Sequence, residues 1–221
     1  MGQKMVEETL TEEKIKEDIC RVMGTLYRRG LISALGGNVS ARVPGSKEFW
    51  ITPSGVFKGR LSVDDLVKVD LEGNVLKGSL KPSIETPMHR AVYRRRLDVN
   101  AVVHAHNPVA TGLASAGIPI EPITVEAALI LRRVPVIPFF SPGTDDLAEA
   151  VAEHIVGVKA LILKNHGVLG VGSNLIEAEA VVEALEEAAT VQWVAYHFGK
   201  PSTIPEEAGR DSQENESDKK L

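Results

Sequence analysis

Two of the six histidines in this 221-residue chain, His104 and His106, stand one residue apart at the end of the apolar run VVHAHNPVA (102–110). In a β-strand, residues i and i+2 face the same way. The spacing therefore presents both imidazoles together while Ala105 faces the opposite side. Two imidazoles on one rigid edge suit a divalent metal, provided the chain supplies more ligands. His166, in LKNHG, and Glu85, in PSIETP, also stand at the ends of expected elements. Three histidines with an optional carboxylate make a catalytic zinc set that leaves one position for substrate or water. His89, His154 and His197 fall inside expected helices without ligand-like neighbours, and read as structural or surface residues.

A second group of residues looks built for an anion. GGNVS (36–40), TPSG (52–55) and KPS (81–83) place Gly, Asn and Ser in turns. Backbone N–H groups and short polar side chains in such turns can converge on phosphate oxygens. A helix opening near Thr86 adds a favourable dipole. Each turn alone is ordinary; the combination is what points to phosphate.

The elements that must position these groups are readable from periodicity. A helix over residues 10–29 follows from Ile15, Ile19, Val22 and Leu26, with Thr9 and Glu12 as its capping box and Gly30 as its stop. NVSARV, EFWITP and LVKVDLEGNVLKG read as β segments, the last a hairpin turning at Glu72-Gly73-Asn74. Thr86 suits an N-cap and Pro87 the first helical position, so a helix starts right after Glu85. NAVVHAH is then a strand, NPVATGLASAG a short helix, VPVIPFF an extended run, and TDDLAEAVAEHIVG a capped amphipathic helix. ALILKNHG is a buried strand ending at His166, and a long helix capped by Asn174 and Glu177 runs to about Phe198. Residues 1–200 are expected to form one domain, followed by a disordered polar tail over 201–221.

Composition narrows the function classes. The net charge of −5 and the absence of a basic stripe argue against nucleic acid as a partner. The one basic cluster, Arg90 with Arg94, Arg95 and Arg96, reads as a solvated or subunit-facing surface. No run approaches the roughly 20 apolar residues of a membrane span. A single cysteine, Cys20, fits a reducing compartment, so a cytoplasmic protein is expected.

The motifs LGGNVSAR, ITPSG, ETPMHRAVYR, VNAVVHAHNPVATGLA and LKNHGVL, in this order and at these intervals, resemble the class II aldolase/adducin family over about residues 12–198. The resemblance implies a three-layer α/β/α fold with a mainly antiparallel central sheet. It also implies a homotetramer with active sites at subunit interfaces. His104, His106 and His166 match the family's metal ligands, with Zn2+ as the expected cofactor and Mn2+ or Co2+ as substitutes. Glu85 matches a carboxylate that ligates the resting metal and then serves as acid/base. Asn38, Ser54, Gly55 and Ser83 match the phosphate-holding turns. The implied activity is reversible cleavage of a ketose 1-phosphate, such as L-fuculose 1-phosphate, into dihydroxyacetone phosphate and an aldehyde through a metal-stabilised enediolate.

The chain departs from the pattern in two places. Fuculose-type aldolases often show Ser-Ser-Glu, where this chain has Ser83-Ile84-Glu85. The family's aldolases also use a tyrosine from a neighbouring subunit to protonate the developing alkoxide, and IPIEPITVEAAL (118–129) contains none. Tyr93 and Tyr196 lie on expected helices and read as packing residues. Glu85 favours cleavage over epimerisation, because the epimerases usually carry aspartate there. Sugar-phosphate dehydratases and decarboxylases of the family share the metal set and stand as alternatives, as does a non-catalytic, adducin-like interaction protein.

Overall fold

Strands β1 (Asn38–Ala41), β2 (Glu48–Ile51), β3 (Val67–Asp70), β4 (Val75–Lys77), β5 (Ala101–Ala105), β6 (Val136–Ile137), β7 (Ala160–Leu163) and β8 (Gly167–Gly172) hydrogen-bond into one sheet. Their spatial order is β4-β3-β2-β1-β5-β8-β7-β6. Every pairing is antiparallel except β6 with β7. The computed structural model describes residues 11–205. Thr9 and residues 206–221 of the expected tail lie outside the described residues. Residues 201–205 carry no regular secondary structure, and Ile204 N donates to Pro122 O at 2.9 Å.

Helices cover both faces of the sheet. On one face lie α1 (Glu12–Arg28), α3 (Pro108–Ser115), α5 (Leu175–Tyr196) and a π-helical turn, Ala127–Leu131. On the other lie α2 (Thr86–Arg95) and α4 (Asp145–His154), packed against each other. The strands alternate between the two cores, as a period of two requires. In β5, Ala101, Val103 and Ala105 enter the first core and Val102 the second. In β8, Val168 enters the first, while Leu169 and Val171 enter the second. The outcome is the three-layer α/β/α arrangement with a mainly antiparallel sheet that the motifs imply.

Local chemistry explains the boundaries. Ile15, Ile19, Val22, Met23 and Leu26 form the buried stripe of α1. Its cap is Thr11 rather than Thr9, with the Thr11 side chain accepting from Lys14 N. Thr144 and Asn174 cap α4 and α5 in the same way, on Leu147 N and Glu177 N. At α2 the cap position is Glu85, not Thr86, and the Glu85 side chain makes no capping bond. Thr86 is the first helical residue, and its hydroxyl donates back to Ser83 O at 2.6 Å. The Glu85 carboxylate is thereby left free to point elsewhere.

Two elements were not legible as such. The segment after His166 is a full strand, β8, so His166 sits in the turn between β7 and β8 rather than at a strand end. Half of GVLGVG is glycine, which reads as a turn. In the sheet, Gly170 is where α5 comes closest: a Cβ there would lie 2.7 Å from Val182 Cγ2 and 2.9 Å from Ala178 O. At the π-helical turn Ala127–Leu131 the Thr124 hydroxyl accepts from Ala127 N at 3.2 Å, but nothing in the apolar run itself marks five-residue hydrogen bonding.

Leu169 is fully buried under the α2/α4 layer and directly opposite His104 in the β5–β8 ladder. Leu169→Ala should cost about 2–5 kcal/mol of stability. Urea unfolding of the metal-free chain, with far-UV and near-UV signals required to coincide, is the measurement.

Candidate metal centre and phosphate turns

The β1–β5 register sets Asn38 opposite His104 and Ser40 opposite Val102. These four side chains share the face of the sheet that α2 and α4 cover. His104 is fully buried, and its Nδ1 donates to Val168 O across the β5–β8 ladder at 2.9 Å. That bond fixes the tautomer and leaves the Nε2 lone pair free. His106 stands one residue past β5, held by its backbone N–H on Leu31 O at 2.8 Å. His166 comes from the β7–β8 turn, where Asn165 takes a left-handed conformation (φ 60°) and His166 N donates to Leu163 O at 3.0 Å. Asparagine tolerates this conformation better than most residues.

The three rings meet. Their centroids are 5.0 Å (His104–His106), 4.8 Å (His104–His166) and 5.6 Å (His106–His166) apart. One nitrogen from each lies within 4.8 Å of the others. Gly167 makes this convergence sterically feasible. A Cβ at Gly167 would lie 2.3 Å from Ala105 O and 3.1 Å from both His104 Cε1 and His106 Cδ2.

Glu85, 5 % exposed, closes the cluster from the start of α2. Its Oε2 is 3.2 Å from His104 Nε2 and its Oε1 is 3.4 Å from His166 Nε2. Asn38 Nδ2 donates to Oε2 at 2.7 Å. His104 Nε2 and Glu85 Oε1 are buried without hydrogen-bond partners. Two orphaned lone-pair atoms, side by side and out of water, are the pattern that a bound cation resolves. The protonation states agree with that. Burial pushes His104 down to about 4 and also depresses His106, so both are neutral near pH 7. Burial works against ionisation of Glu85. The positive charge that the neighbouring imidazoles of His104 and His166 carry when protonated in acid, with the Asn38 amide, outweighs it, and the carboxyl sits below its ordinary range. Neutral imidazoles beside a carboxylate fit a divalent metal.

The turns named for phosphate are stitched to this centre. Thr52 N donates to Val39 O of β1, Ser83 N donates to Thr52 O, and Ser54 N donates to Lys81 O. Pro53 and Pro82 form an isolated bridge. Segments 52–55 and 81–83 therefore run side by side. Ser83 Oγ accepts from Glu85 N at 3.2 Å, so the second turn leads straight into the buried carboxylate. Ser54 is half-buried and Gly55 exposed, with φ of 71°. Asn38 is 3 % exposed, and both ends of its amide are engaged within the protein.

His89 does not fit the reading of a helix residue without site neighbours. It is fully buried and bonds Asn38 Oδ1 and Ser40 Oγ. The signal was available in two spacings: Glu85 and His89 are i, i+4 on one helix face, and Asn38 and Ser40 are i, i+2 on one strand face. His154 and His197, by contrast, only bond carbonyls one helical turn back. Tyr93 is fully buried with its hydroxyl on Ser40, and Tyr196 is a 40 % exposed residue on α5.

Residues 17–193 match the family model described as the class II aldolase and adducin N-terminal domain. The chain is 38 % identical over 174 residues to an L-fuculose phosphate aldolase of Methanocaldococcus jannaschii, spanning 79 % of this chain and 93 % of the relative. It is 35 % identical over 185 residues to a 3-oxo-tetronate 4-phosphate decarboxylase of Haemophilus influenzae, spanning 81 % of this chain and 87 % of the relative. Among solved structures, an L-fuculose 1-phosphate aldolase superposes with a TM-score of 0.86 at 30 % identity, covering 94 % of this chain and all of that one.

Two outcomes are expected. Gly167→Ala, which drives a methyl into the Ala105 carbonyl between two of the converging rings, should lower zinc affinity by about ten-fold or more, as displaced ligand supports do. Competition against a chromophoric chelator measures this. The metal-free chain should also lose stability in acid. His104 and His89 have folded values of about 4 and about 3 against an ordinary 6.5, so the unfolded chain takes up these protons first. Their contribution is complete above about pH 6.5 and falls as pH drops toward the folded values, by up to about 1.4 kcal/mol per pH unit for each group. Thermal unfolding between pH 7.5 and pH 4.5 should show the midpoint falling below pH 6.5.

Proposed function

Since this chain belongs to the class II aldolase and adducin family, we propose that it is a metal-dependent aldolase that cleaves a ketose 1-phosphate, such as L-fuculose 1-phosphate, into dihydroxyacetone phosphate and an aldehyde. The observation that supports this most is one buried carboxylate set among three converging histidines, at the end of a turn suited to phosphate. Held by His104, His106 and His166, with Glu85 as an additional ligand at rest, Zn2+ would supply Lewis-acid stabilisation of the negative charge that develops on the substrate's oxygens. Mn2+ or Co2+ would suit the same donors.

The chain's own residues do the rest. In the condensation direction Glu85 takes the carbon-bound proton from dihydroxyacetone phosphate, and in cleavage it returns that proton to carbon. Its burial and low accessibility to water keep the proton from leaking between turnovers. Ser54, Gly55 and Ser83, with the second amide hydrogen of Asn38, hold the phosphate, and this remote binding fixes the reacting carbon over Glu85. Tyr93 is excluded as the acid on the aldehyde side, because its hydroxyl is committed to Ser40 in the core.

The same reading includes a homotetramer with sites at its subunit interfaces. Leu35 and Ile84 are 64 % and 65 % exposed on the segments that lead into Gly36 and Glu85, and apolar residues so placed suit a surface covered by another copy. It also includes a cytoplasmic location, which a lone cysteine fits. Among the described residues no helix is long and apolar enough to cross a membrane.

A second reading has two observations in its favour. Ile84 stands where fuculose-type enzymes often carry serine, and the relative from Haemophilus influenzae is named a decarboxylase. Loss of carbon dioxide from a 3-oxo acid phosphate leaves negative charge on the same oxygens, and Glu85 would then relay to carbon one proton taken up from water.

Proton exchange from dihydroxyacetone phosphate into D2O, followed by NMR, tests the first reading without the aldehyde. Exchange should require metal, and Glu85→Gln should slow it by at least about a hundred-fold. Absence of exchange by folded, zinc-loaded protein, together with release of carbon dioxide from 3-oxo-tetronate 4-phosphate, would replace the first reading by the second. Sedimentation should give a mass four times that of the chain.

A further inference from the structure

From Glu85 at the cap of α2, a stripe of three polar side chains runs along the helix and interlocks with two on β1. Glu85, His89 and Tyr93 recur every fourth residue along one helix face, and Asn38 and Ser40 point at them from one strand face. All five are buried, none more than 5 % exposed. The contacts alternate between the two elements. Asn38 Nδ2 meets Glu85 Oε2 at 2.7 Å, Asn38 Oδ1 meets His89 Nε2 at 2.5 Å, Ser40 Oγ meets His89 Nδ1 at 2.6 Å and Tyr93 Oη at 2.8 Å.

The donor inventory gives this chain one direction. A carboxylate only accepts, so the amide must turn its nitrogen to Glu85 and its oxygen to His89. His89 must then donate from Nε2, which leaves Nδ1 as an acceptor for the Ser40 hydroxyl. The Ser40 oxygen in turn accepts from Tyr93. With the other imidazole tautomer, the Nε2 lone pair would face the amide oxygen. The amide would flip and set an oxygen 2.7 Å from a carboxylate oxygen. An apolar stripe would fill the same space without the desolvation cost of five polar groups.

We infer that His89 is a positioning residue: through Asn38, it holds the Glu85 carboxylate in the orientation from which it exchanges a proton with substrate carbon. Its ring hydrogen-bonds to Asn38 and Ser40, not to the Glu85 carboxylate or the three converging imidazoles. The Asn38 amide transmits its orientation, and Ser40 and Tyr93 lock its tautomer. This rests on the reading of Glu85 as the base.

The test uses zinc-loaded protein. Histidine 15N shifts at pH 7.5 should show His89 as the neutral Nε2–H tautomer; an Nδ1–H pattern overturns the inference without any activity measurement, even if variants fold poorly. Among variants, His89→Gln keeps a donor near the Nε2 position, whereas His89→Asn keeps only the Ser40 side. His89→Asn should lower the maximal rate of dihydroxyacetone phosphate exchange by about 10–100-fold, with KM within two-fold and zinc content unchanged. His89→Gln should recover most of that loss. Equal losses in both variants, or a loss matched by lost zinc, would reduce His89 to a packing residue. Glu85→Gln separates the two ideas. If it retains exchange, the base assignment fails and takes this role with it. If it is inactive while His89→Asn exchanges normally, only the positioning role is overturned.

Discussion

Asn38, His104 and Leu169 stand side by side across three hydrogen-bonded strands, and the site depends on that register. Slipping β5 by one residue against β1 would turn His104 into the α1/α5 core and bring Val103 or Ala105 to the α2 side. The hydrophobic pattern forbids it, since Ala101, Val103 and Ala105 are packed under the first helical layer and Val102 under the second. Two apolar cores thus specify where one polar side chain goes. The ring of His104 then takes its tautomer from Val168 O on the neighbouring strand, so the same ladder fixes position and protonation.

What the ladder does for His104, turns do for the others. His106 and His166 arrive from segments without ladder support, each held by one backbone hydrogen bond at its root. Gly167 lets the β7–β8 turn close over Ala105 O. The centre is therefore half rigid and half dependent on turns, with the fully buried imidazole on the rigid half. The buried Glu85, ionised beside neutral imidazoles, carries the net negative charge that a cation balances.

Sequence reasoning singled out the three histidines that the fold brings together because two physical signals pointed at them: the two-residue repeat of a strand for His104 and His106, and the end of an apolar run for His166. It reached the layers of the fold through family likeness rather than periodicity. It missed β8, because a strand whose outer face is covered tightly by α5 looks like a glycine-rich turn when read alone. It misread His89 for the opposite reason. A histidine inside an amphipathic helix is ordinary, and only the strand partners Asn38 and Ser40, some fifty residues away in sequence, show what it is bonded to. The cap at α2 was misplaced by one residue because Thr86 uses its hydroxyl on Ser83 O, leaving the cap position to a side chain with other work.

The sheet ends in very short strands, three residues in β4 and two in β6. An edge that short offers few unpaired backbone groups to a second sheet, and β4 further carries Lys77. Growth of the sheet from chain to chain is thereby blocked at both sides. Contact by strand addition is therefore disfavoured at either end of the sheet, which leaves helix faces and loops as the broader surfaces available for contact.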